Sequence, residues 1–93
     1  MIRSFADQRT ARLFGGELSK GIGSDVGRAA LRRLVQLHTA TRLAELAVPP
    51  GNRLEALRGD RNGRHSIRVN VQWRICFIWR DGDAYEVELV DYH

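Results

Sequence analysis

The stretch WRICFIWR at residues 73–80 is followed by DGD at residues 81–83 and by AYEVELV at residues 84–90. Large apolar side chains occupy every second position of the first segment, which is the period that a strand with one buried face requires. Gly82 tolerates the positive φ of a tight hairpin loop. The stretch therefore predicts a β-hairpin, and we expect the rest of the chain to be organised around it.

The polar end of this hairpin is the first candidate for chemistry. The return strand runs into Asp91, Tyr92 and His93. Counting back from the turn puts Arg74 opposite residue 89, 90 or 91, and a two-residue loop would place Arg74 and Asp91 on one face, as a direct or a diagonal pair. We therefore expect a guanidinium, a carboxylate, a phenol and an imidazole to meet at one end of the sheet.

The length and composition fit one small domain spanning residues 1–93. Hydrophobic residues make up 43% and charged residues 28% of the chain, which is ordinary for a globular protein. The formal net charge is +4, and Lys20 is the only lysine among the cations. Arginine binds phosphate bidentately and stacks on bases, so this excess favours a nucleic-acid partner. A genome rich in arginine codons explains the same bias, and composition leaves both explanations open.

Several functional classes lack their sequence signatures. Cys76 is the only cysteine, which excludes an internal disulfide, and its place in the alternating strand predicts a small buried side chain. The histidines and the cysteine lie too far apart for a metal-ligand motif. No apolar run approaches the roughly 20 residues of a membrane span, and the first residues lack a signal-peptide core. We therefore expect a cytoplasmic protein without a metal or cofactor.

Helical patterns dominate the first half of the chain. Ser24 is a suitable N-cap and Asp25 a suitable first-turn acid for the strongest helix, in which apolar residues recur at helical spacing to about residue 39. The remaining segments predicted in this half are a short strand at residues 2–5, helices at residues 6–14 and 40–48, and a loop at residues 17–23.

Strand patterns dominate the second half. Two further strands are predicted at residues 52–57 and 64–71, where polar and apolar residues alternate on either side of a turn that contains two glycines. Together with the hairpin they form a run of antiparallel strands. Helices followed by such a run define an α+β domain.

Arg58, Arg74, Asp91, Tyr92 and His93 contain the groups that internal cleavage of RNA requires. The ribose 2′-hydroxyl is the nucleophile of that reaction. A protein catalyst must then supply a base for this hydroxyl, an acid for the leaving 5′-oxygen and cations for the pentavalent phosphorane. The two arginines suit the last task because they stay protonated near neutral pH.

The three terminal residues suit proton transfer and positioning. A free imidazole titrates near pH 6.5, and a carboxylate at the chain end favours the imidazolium form of His93, which suits a general acid. Asp91 is suited to orient His93 or Arg74, and Tyr92 to stack on a base or bind the phosphate. Glu55 is a further candidate for the base. From spacing alone, a polar tail and an ion-paired strand arginine remain open as interpretations.

Four segments of the chain resemble one known family. They are PGNRLEALRGDR at residues 50–61, SIRVN at residues 66–70, QWRICF at residues 72–77 and VDYH at residues 90–93, with MIRSF opening the chain. These motifs closely resemble the HigB branch of the RelE/ParE toxin superfamily. The resemblance implies a RelE-like α+β microdomain, in which two N-terminal helices pack on a curved, mainly antiparallel sheet of four to five strands.

The resemblance also implies a function. Toxins of this type belong to type II toxin–antitoxin systems, enter the decoding site of the ribosome and cut the mRNA held there, using the ribose 2′-hydroxyl and no metal or cofactor. The expected partners are the ribosome with its mRNA and a HigA-like helix-turn-helix antitoxin, through which alone the toxin reaches operator DNA. No membrane is involved.

The family's catalytic residues carry over to Arg58, Arg74, Asp91, Tyr92 and His93. Most relatives have lysine where Arg58 stands, so phosphate stabilisation carries over but a lysine-specific proton role does not. Some relatives have histidine where Glu55 stands, and many have an aromatic residue at position 65. The residues expected to bind RNA are Arg53, Arg61, His65 and Arg68.

Two other functions remain open at this point. A gyrase-directed toxin of the ParE type shares the fold but generally lacks the terminal acid–base cluster. A non-catalytic module that binds RNA or docks an antitoxin needs the basic surface but no proton transfer.

Overall fold

A computed structural model describes residues 1–18, 20–59 and 63–91. The structure has two helices, two short 3₁₀ turns and a four-stranded antiparallel sheet with the strand order β1-β2-β3-β4. This arrangement confirms the predicted α+β class. The elements are α1 (Gln8–Phe14), α2 (Ser24–Thr39), the 3₁₀ turns Leu43–Ala47 and Pro50–Asn52, β1 (Glu55–Ala56), β2 (Arg64–Arg68), β3 (Trp73–Arg80) and β4 (Asp83–Asp91).

The two helices cover one face of the sheet. Asp7 caps α1, because its side chain accepts a hydrogen bond of 2.7 Å from the backbone N–H of Thr10. Ser24, the predicted N-cap of the longer helix, is instead its first residue, and Gly23 is the N-cap residue and makes no side-chain cap bond. The Thr10 hydroxyl ties α1 to the sheet, since it accepts a hydrogen bond of 3.0 Å from the backbone N–H of Leu89.

The core lies between these helices and the sheet. Burying each large apolar side chain stabilises the fold by about 1.5–3 kcal/mol, so this layer is the main source of stability. Cys76 is also buried, as predicted, but it lies on the opposite face of β3 from Ile75 and Phe77. The largest fully buried side chains of the core layer are Leu13, Leu34 and Leu37 from the helices, Leu46 from the first 3₁₀ turn, and Ile67, Ile75, Phe77, Val87 and Leu89 from the sheet.

Two of the predicted strands, at residues 2–5 and 64–71, are shorter than expected. Residues 2–5 make only two isolated parallel bridges to β4, from Ile2 to Ala84 and from Phe5 to Val87. Strand β2 ends at Arg68 rather than at residue 71. Its end has a local cause, because the Asn70 side chain accepts hydrogen bonds of 2.8 Å from the N–H groups of both residues 72 and 73, and so forms a turn.

The segment predicted as a strand at residues 52–57 is mostly not one. Pro50–Asn52 form a 3₁₀ turn, Arg53 adopts a left-handed backbone with φ of 45°, and only Glu55 and Ala56 pair with β2. The alternation of side chains was therefore a poor guide here, since tertiary hydrogen bonds fix the backbone of residues 52 and 53.

The β3–β4 hairpin is confirmed; its loop, whose length the sequence left open, has two residues, and the hairpin also contains a β-bulge. Arg80 pairs with Asp83 across the loop, and Ile78 pairs with Tyr85. The next pair is Cys76 with Glu88, so two residues of β4, Glu86 and Val87, lie opposite Phe77 alone. Glu86 has a left-handed φ of 51°, which is typical of the conformations that bulges require.

This bulge decides which side chains share a face of the sheet. One extra residue in β4 shifts the register, so Arg74 pairs with Val90 and Asp91 pairs with Trp73. Successive residues of a strand point to opposite faces. The expectation that Arg74 and Asp91 share a face is therefore wrong, and the physical reason is the bulge, which reverses the order of the faces between the turn and the end of the hairpin.

We predict that substitutions at Glu86 change stability according to their tolerance of a positive φ. Glu86→Gly should leave the free energy of unfolding unchanged or raise it, because glycine has no Cβ to clash in this conformation. Glu86→Val should lower it by about 1–2 kcal/mol, which corresponds to about 4–8 °C in Tm for each kcal/mol. Thermal unfolding followed by circular dichroism measures both variants. Equal free energies of unfolding for the two variants would contradict the left-handed conformation of residue 86 in the bulge.

Candidate functional site

The face of the sheet opposite the helices carries the polar residues that the sequence singled out. Cross-strand pairing aligns Glu55, Ser66, Cys76 and Glu88 in one row. The neighbouring row aligns Arg68 with Arg74 and Arg74 with Val90. Partners in register lie on the same face, so both rows belong to a single surface, which we call the arginine face.

Arg74 lies at the centre of this face and is only 8% exposed. Its Nε donates a hydrogen bond of 3.0 Å to the hydroxyl of Ser66, and its Nη2 donates one of 2.8 Å to the backbone carbonyl of Arg53. Its Nη1 lies 3.4 Å from Oε1 of Glu55, whose side chain is 52% exposed. Two separate segments of the chain, residues 53–55 and β2, thus supply acceptors to one guanidinium.

Ser66 is placed by the sheet itself. It is fully buried at the middle of β2, opposite Cys76 of β3 and two residues before Arg68, which pairs with Arg74. Side chains two residues apart in a strand share a face. The Ser66 hydroxyl therefore lies diagonally across from Arg74, within reach of its guanidinium.

The carbonyl of Arg53 is placed by a buried asparagine next to it. Asn52 is fully buried, and its side-chain nitrogen donates to the carbonyls of Leu46 and Val48, at 3.1 and 3.2 Å, and to the side-chain oxygen of Gln36 at 2.9 Å. These contacts fix the 3₁₀ turn against α2. The left-handed conformation of Arg53 follows directly after this anchor and directs its carbonyl to Nη2 of Arg74.

A guanidinium in this setting is suited to bind an oxyanion. Arginine stays protonated near neutral pH, and a charge shielded from water acts more strongly on a bound phosphate than an exposed charge does. Its planar donors also match two phosphate oxygens at once. Arg68 is half-buried and pairs with Arg74, so a second positive charge lies on the arginine face. Arg53 and Arg58 are exposed.

Asp91 and Arg68 are further predicted site residues that the structure places. Asp91 ends β4 opposite Trp73, and one of its carboxylate oxygens accepts a hydrogen bond of 3.2 Å from the Gln72 side chain. Arg68 lies on the arginine face, where its Nε donates a hydrogen bond of 3.0 Å to the carbonyl of Asn70. The predicted residues that lie outside the described ranges are Arg61, Tyr92 and His93.

His65 lies on the other side of the sheet from Arg74. It pairs with Phe77, and the two rings stack with centroids 6.0 Å apart and an angle of 22° between their planes. Burial lowers the pKa of His65, because a protonated ring loses its hydration there. The structure therefore brings Arg53, Arg68 and Arg74 together, and it places His65 within the aromatic packing around Phe77.

The sequence interpretation did not assign a role to Ser66 or Asn52. A usable signal existed for Ser66, because a small polar residue two positions before Arg68 in an alternating strand must share its face. No comparable signal existed for Asn52, since its role depends on carbonyls brought close by the 3₁₀ turns. The carbonyl role of Arg53 depends on a left-handed backbone that alternation does not predict.

Residues 1–18, 20–59 and 63–91 contain neither a metal-ligand cluster nor a membrane-spanning helix. No group of three or more His, Cys, Asp or Glu side chains is arranged to hold a metal ion there. In the same ranges, no helix combines the length and the apolar character needed to cross a membrane.

Comparison with known proteins places the chain in a family. The family model described as the RelE-like toxin of the type II toxin–antitoxin system HigB matches residues 3–93. Toxin HigB-1 of Vibrio cholerae is 44% identical over 68 residues, which cover 73% of this chain and 72% of that protein. Endoribonuclease HigB of Proteus vulgaris is 40% identical over 98 aligned positions, which cover 100% of both chains. The chain therefore belongs to the HigB family of RelE-like toxins of type II toxin–antitoxin systems.

Proposed function

We propose that this toxin is a ribosome-dependent endoribonuclease, which cleaves mRNA through the ribose 2′-hydroxyl and so inhibits translation. The observation that carries the proposal is the buried guanidinium of Arg74 at the centre of an arginine-rich face, where Ser66, Arg53 and Glu55 are its acceptors among the described residues. A relative that aligns over the full length of the chain and carries the name Endoribonuclease HigB supports the same reaction.

Arg74 stabilises the charge that develops during cleavage. Attack of the 2′-hydroxyl on the neighbouring phosphate produces a phosphorane with extra negative charge on its equatorial oxygens. A fixed donor that points to such oxygens contributes about 3–4 kcal/mol to transition-state binding. Arg58 adds a second, exposed cation at the end of the segment that follows β1.

The residues that end the chain supply proton transfer. His93 is the general acid for the leaving 5′-oxygen, because an imidazole changes charge near neutral pH. Asp91 lies on the face of Trp73 rather than that of Arg74, so its role is to orient His93 and not to pair directly with Arg74. Tyr92 stacks on a base or binds the phosphate.

The surface of the domain explains the need for a ribosome. The domain measures 32 × 26 × 26 Å, which is too small to enclose a strand of mRNA. Arg53, Arg58 and Arg68, together with Arg61, bind the phosphates that the decoding site presents, while His65 stacks on Phe77 on the other side of the sheet. The site of action is thus the cytoplasm, where ribosomes translate.

The antitoxin is the second partner. Family membership implies an antitoxin, and we propose that it is a HigA-like helix-turn-helix protein. The basic toxin then reaches operator DNA only through this partner. A reading frame for such a protein beside the gene would support the assignment.

We predict that Arg74→Ala and Arg74→Lys both abolish toxicity. The first removes the charge, and the second keeps a charge but lacks the planar donors that reach Ser66 and Arg53 together. Primer extension on translated mRNA should show new 5′ ends for the wild-type protein, with a loss of about 10²–10³-fold in either variant. Arg28→Ala is the matched control, because Arg28 is an exposed arginine that pairs with Asp25 on the outer side of α2.

Two results would contradict this account. Full cleavage by a folded Arg74→Ala variant would remove Arg74 from the reaction. Growth inhibition with DNA damage and without new 5′ ends in mRNA would refute the nuclease and would instead identify a gyrase-directed toxin.

We predict that His93→Gln slows cleavage by about 10²–10⁴-fold, the usual contribution of a general acid or base. Single-turnover rates on ribosomes programmed with mRNA measure the effect across pH 5.5–8.5, a range chosen around the titration of a free imidazole. The wild-type rate should fall at high pH as the acid loses its proton, and this fall should disappear in the variant. A variant with an unchanged rate and pH profile would remove His93 from the reaction.

A further inference from the structure

The contacts of Arg74 identify groups that hold its guanidinium in place. We propose that the Ser66 hydroxyl and the backbone carbonyl of Arg53 are positioning groups, which fix the Arg74 guanidinium in the orientation that receives the scissile phosphate. The inference rests on the proposed nuclease function and adds two groups to its site. Neither group touches the reacting atoms, since both act through Arg74.

The geometry of the two hydrogen bonds fixes the plane of the guanidinium. Ser66 accepts from Nε at 3.0 Å and Arg53 accepts from Nη2 at 2.8 Å. The group is planar and rigid, so two bonds from different atoms of the plane fix both its direction and its tilt. A single bond would leave the group able to pivot about the axis of that one bond.

The two acceptors are themselves immobilised. Ser66 is fully buried in β2, where strands on both sides pair with it, β1 through Glu55 and β3 through Cys76. Arg53 follows the buried Asn52, whose side chain bonds three acceptors. The positions of both acceptors therefore depend on the fold and not on the substrate, which is the condition for a preorganised site.

Glu55 differs from these two groups. Its contact with Nη1 is longer, at 3.4 Å, and its side chain is about half exposed. Because the Glu55 carboxylate is partly exposed to solvent, an incoming anion can compete with it for Nη1 of Arg74. Glu55 therefore does not fix the direction of the guanidinium. The phosphate therefore approaches Arg74 from the side of Glu55, while the hydrogen bonds of Arg74 to Ser66 and to the Arg53 carbonyl stay in place.

A double-mutant cycle between Ser66 and Arg74 tests the inference. Ser66→Ala should slow single-turnover cleavage by about 10–10²-fold, because small displacements of a positioned group cost rates of that order. In the Arg74→Ala background the same substitution should have no further effect, since the group that Ser66 holds is gone. Ser66→Thr keeps the hydroxyl and should restore most of the rate. A folded Ser66→Ala variant with the wild-type rate, or with equal losses in both backgrounds, would overturn the assignment.

A measurement on Arg74 itself needs no nuclease activity. The Nε–H proton of Arg74 should exchange slowly with water in the free wild-type protein, as its bond to buried Ser66 requires. NMR of the arginine side chains should show exchange at least about tenfold faster in Ser66→Ala and close to wild type in Ser66→Thr. Equal exchange in all three proteins would show that Ser66 does not hold Arg74.

A matched pair of substitutions at Arg53 separates its carbonyl from its guanidinium. Asparagine tolerates a left-handed backbone and β-branched valine does not, while both lack the positive charge. Arg53→Val should therefore cleave about tenfold more slowly than Arg53→Asn, since the strain of about 1–2 kcal/mol displaces the carbonyl. Equal rates for the two folded variants would remove the carbonyl from the proposal.

The outcomes separate this inference from the function on which it rests. If the wild-type protein makes no cuts in translated mRNA, the proposed function is wrong, and the exchange measurement still tests the hold on Arg74. If the wild type cleaves and Arg74→Ala does not, while Ser66→Ala retains the wild-type rate, only the positioning role is wrong.

Discussion

A nearly buried arginine on the sheet face opposite the helices is the feature on which the rest of this structure depends. A buried charge destabilises a fold unless hydrogen bonds and opposite charge replace the water it has lost. Here a hydroxyl from β2, a carbonyl from the loop before β1 and the carboxylate of Glu55 supply that replacement. The same contacts that make Arg74 tolerable in the fold also fix its direction, so stability and function have one structural cause.

The register of the hairpin decides what surrounds this arginine. The bulge at Glu86 pairs Arg74 with Val90 and moves Asp91 to the face of Trp73. Arg74 therefore lies on one surface with Ser66, Glu55 and Arg68, while the helices cover the other surface. Without the bulge, the side chains near the end of β4 would point to the other face of the sheet. The Asp91 carboxylate would then share a face with Arg74.

Much of this organisation was predictable from the sequence, and the exceptions have physical reasons. The strict alternation around Trp73–Arg80 and the Asp81-Gly82 loop predicted the hairpin, and the family motifs singled out Arg74. The register could not be predicted because the bulge has glutamate, not glycine, at its left-handed position. The surroundings of Arg74 were missed because Ser66 and the Arg53 carbonyl meet it only after β2 and the Asn52 anchor have formed.

The most direct test is a structure of the toxin on a ribosome that holds mRNA with a 2′-O-methyl group at the scissile position, which blocks the nucleophile. The account predicts a guanidinium nitrogen of Arg74 at about 2.7–2.9 Å from an oxygen of the scissile phosphate, with the bonds to Ser66 and to the Arg53 carbonyl unchanged. An Arg74 guanidinium that is turned away from this phosphate, or that has left Ser66 and the Arg53 carbonyl to reach it, would contradict the account.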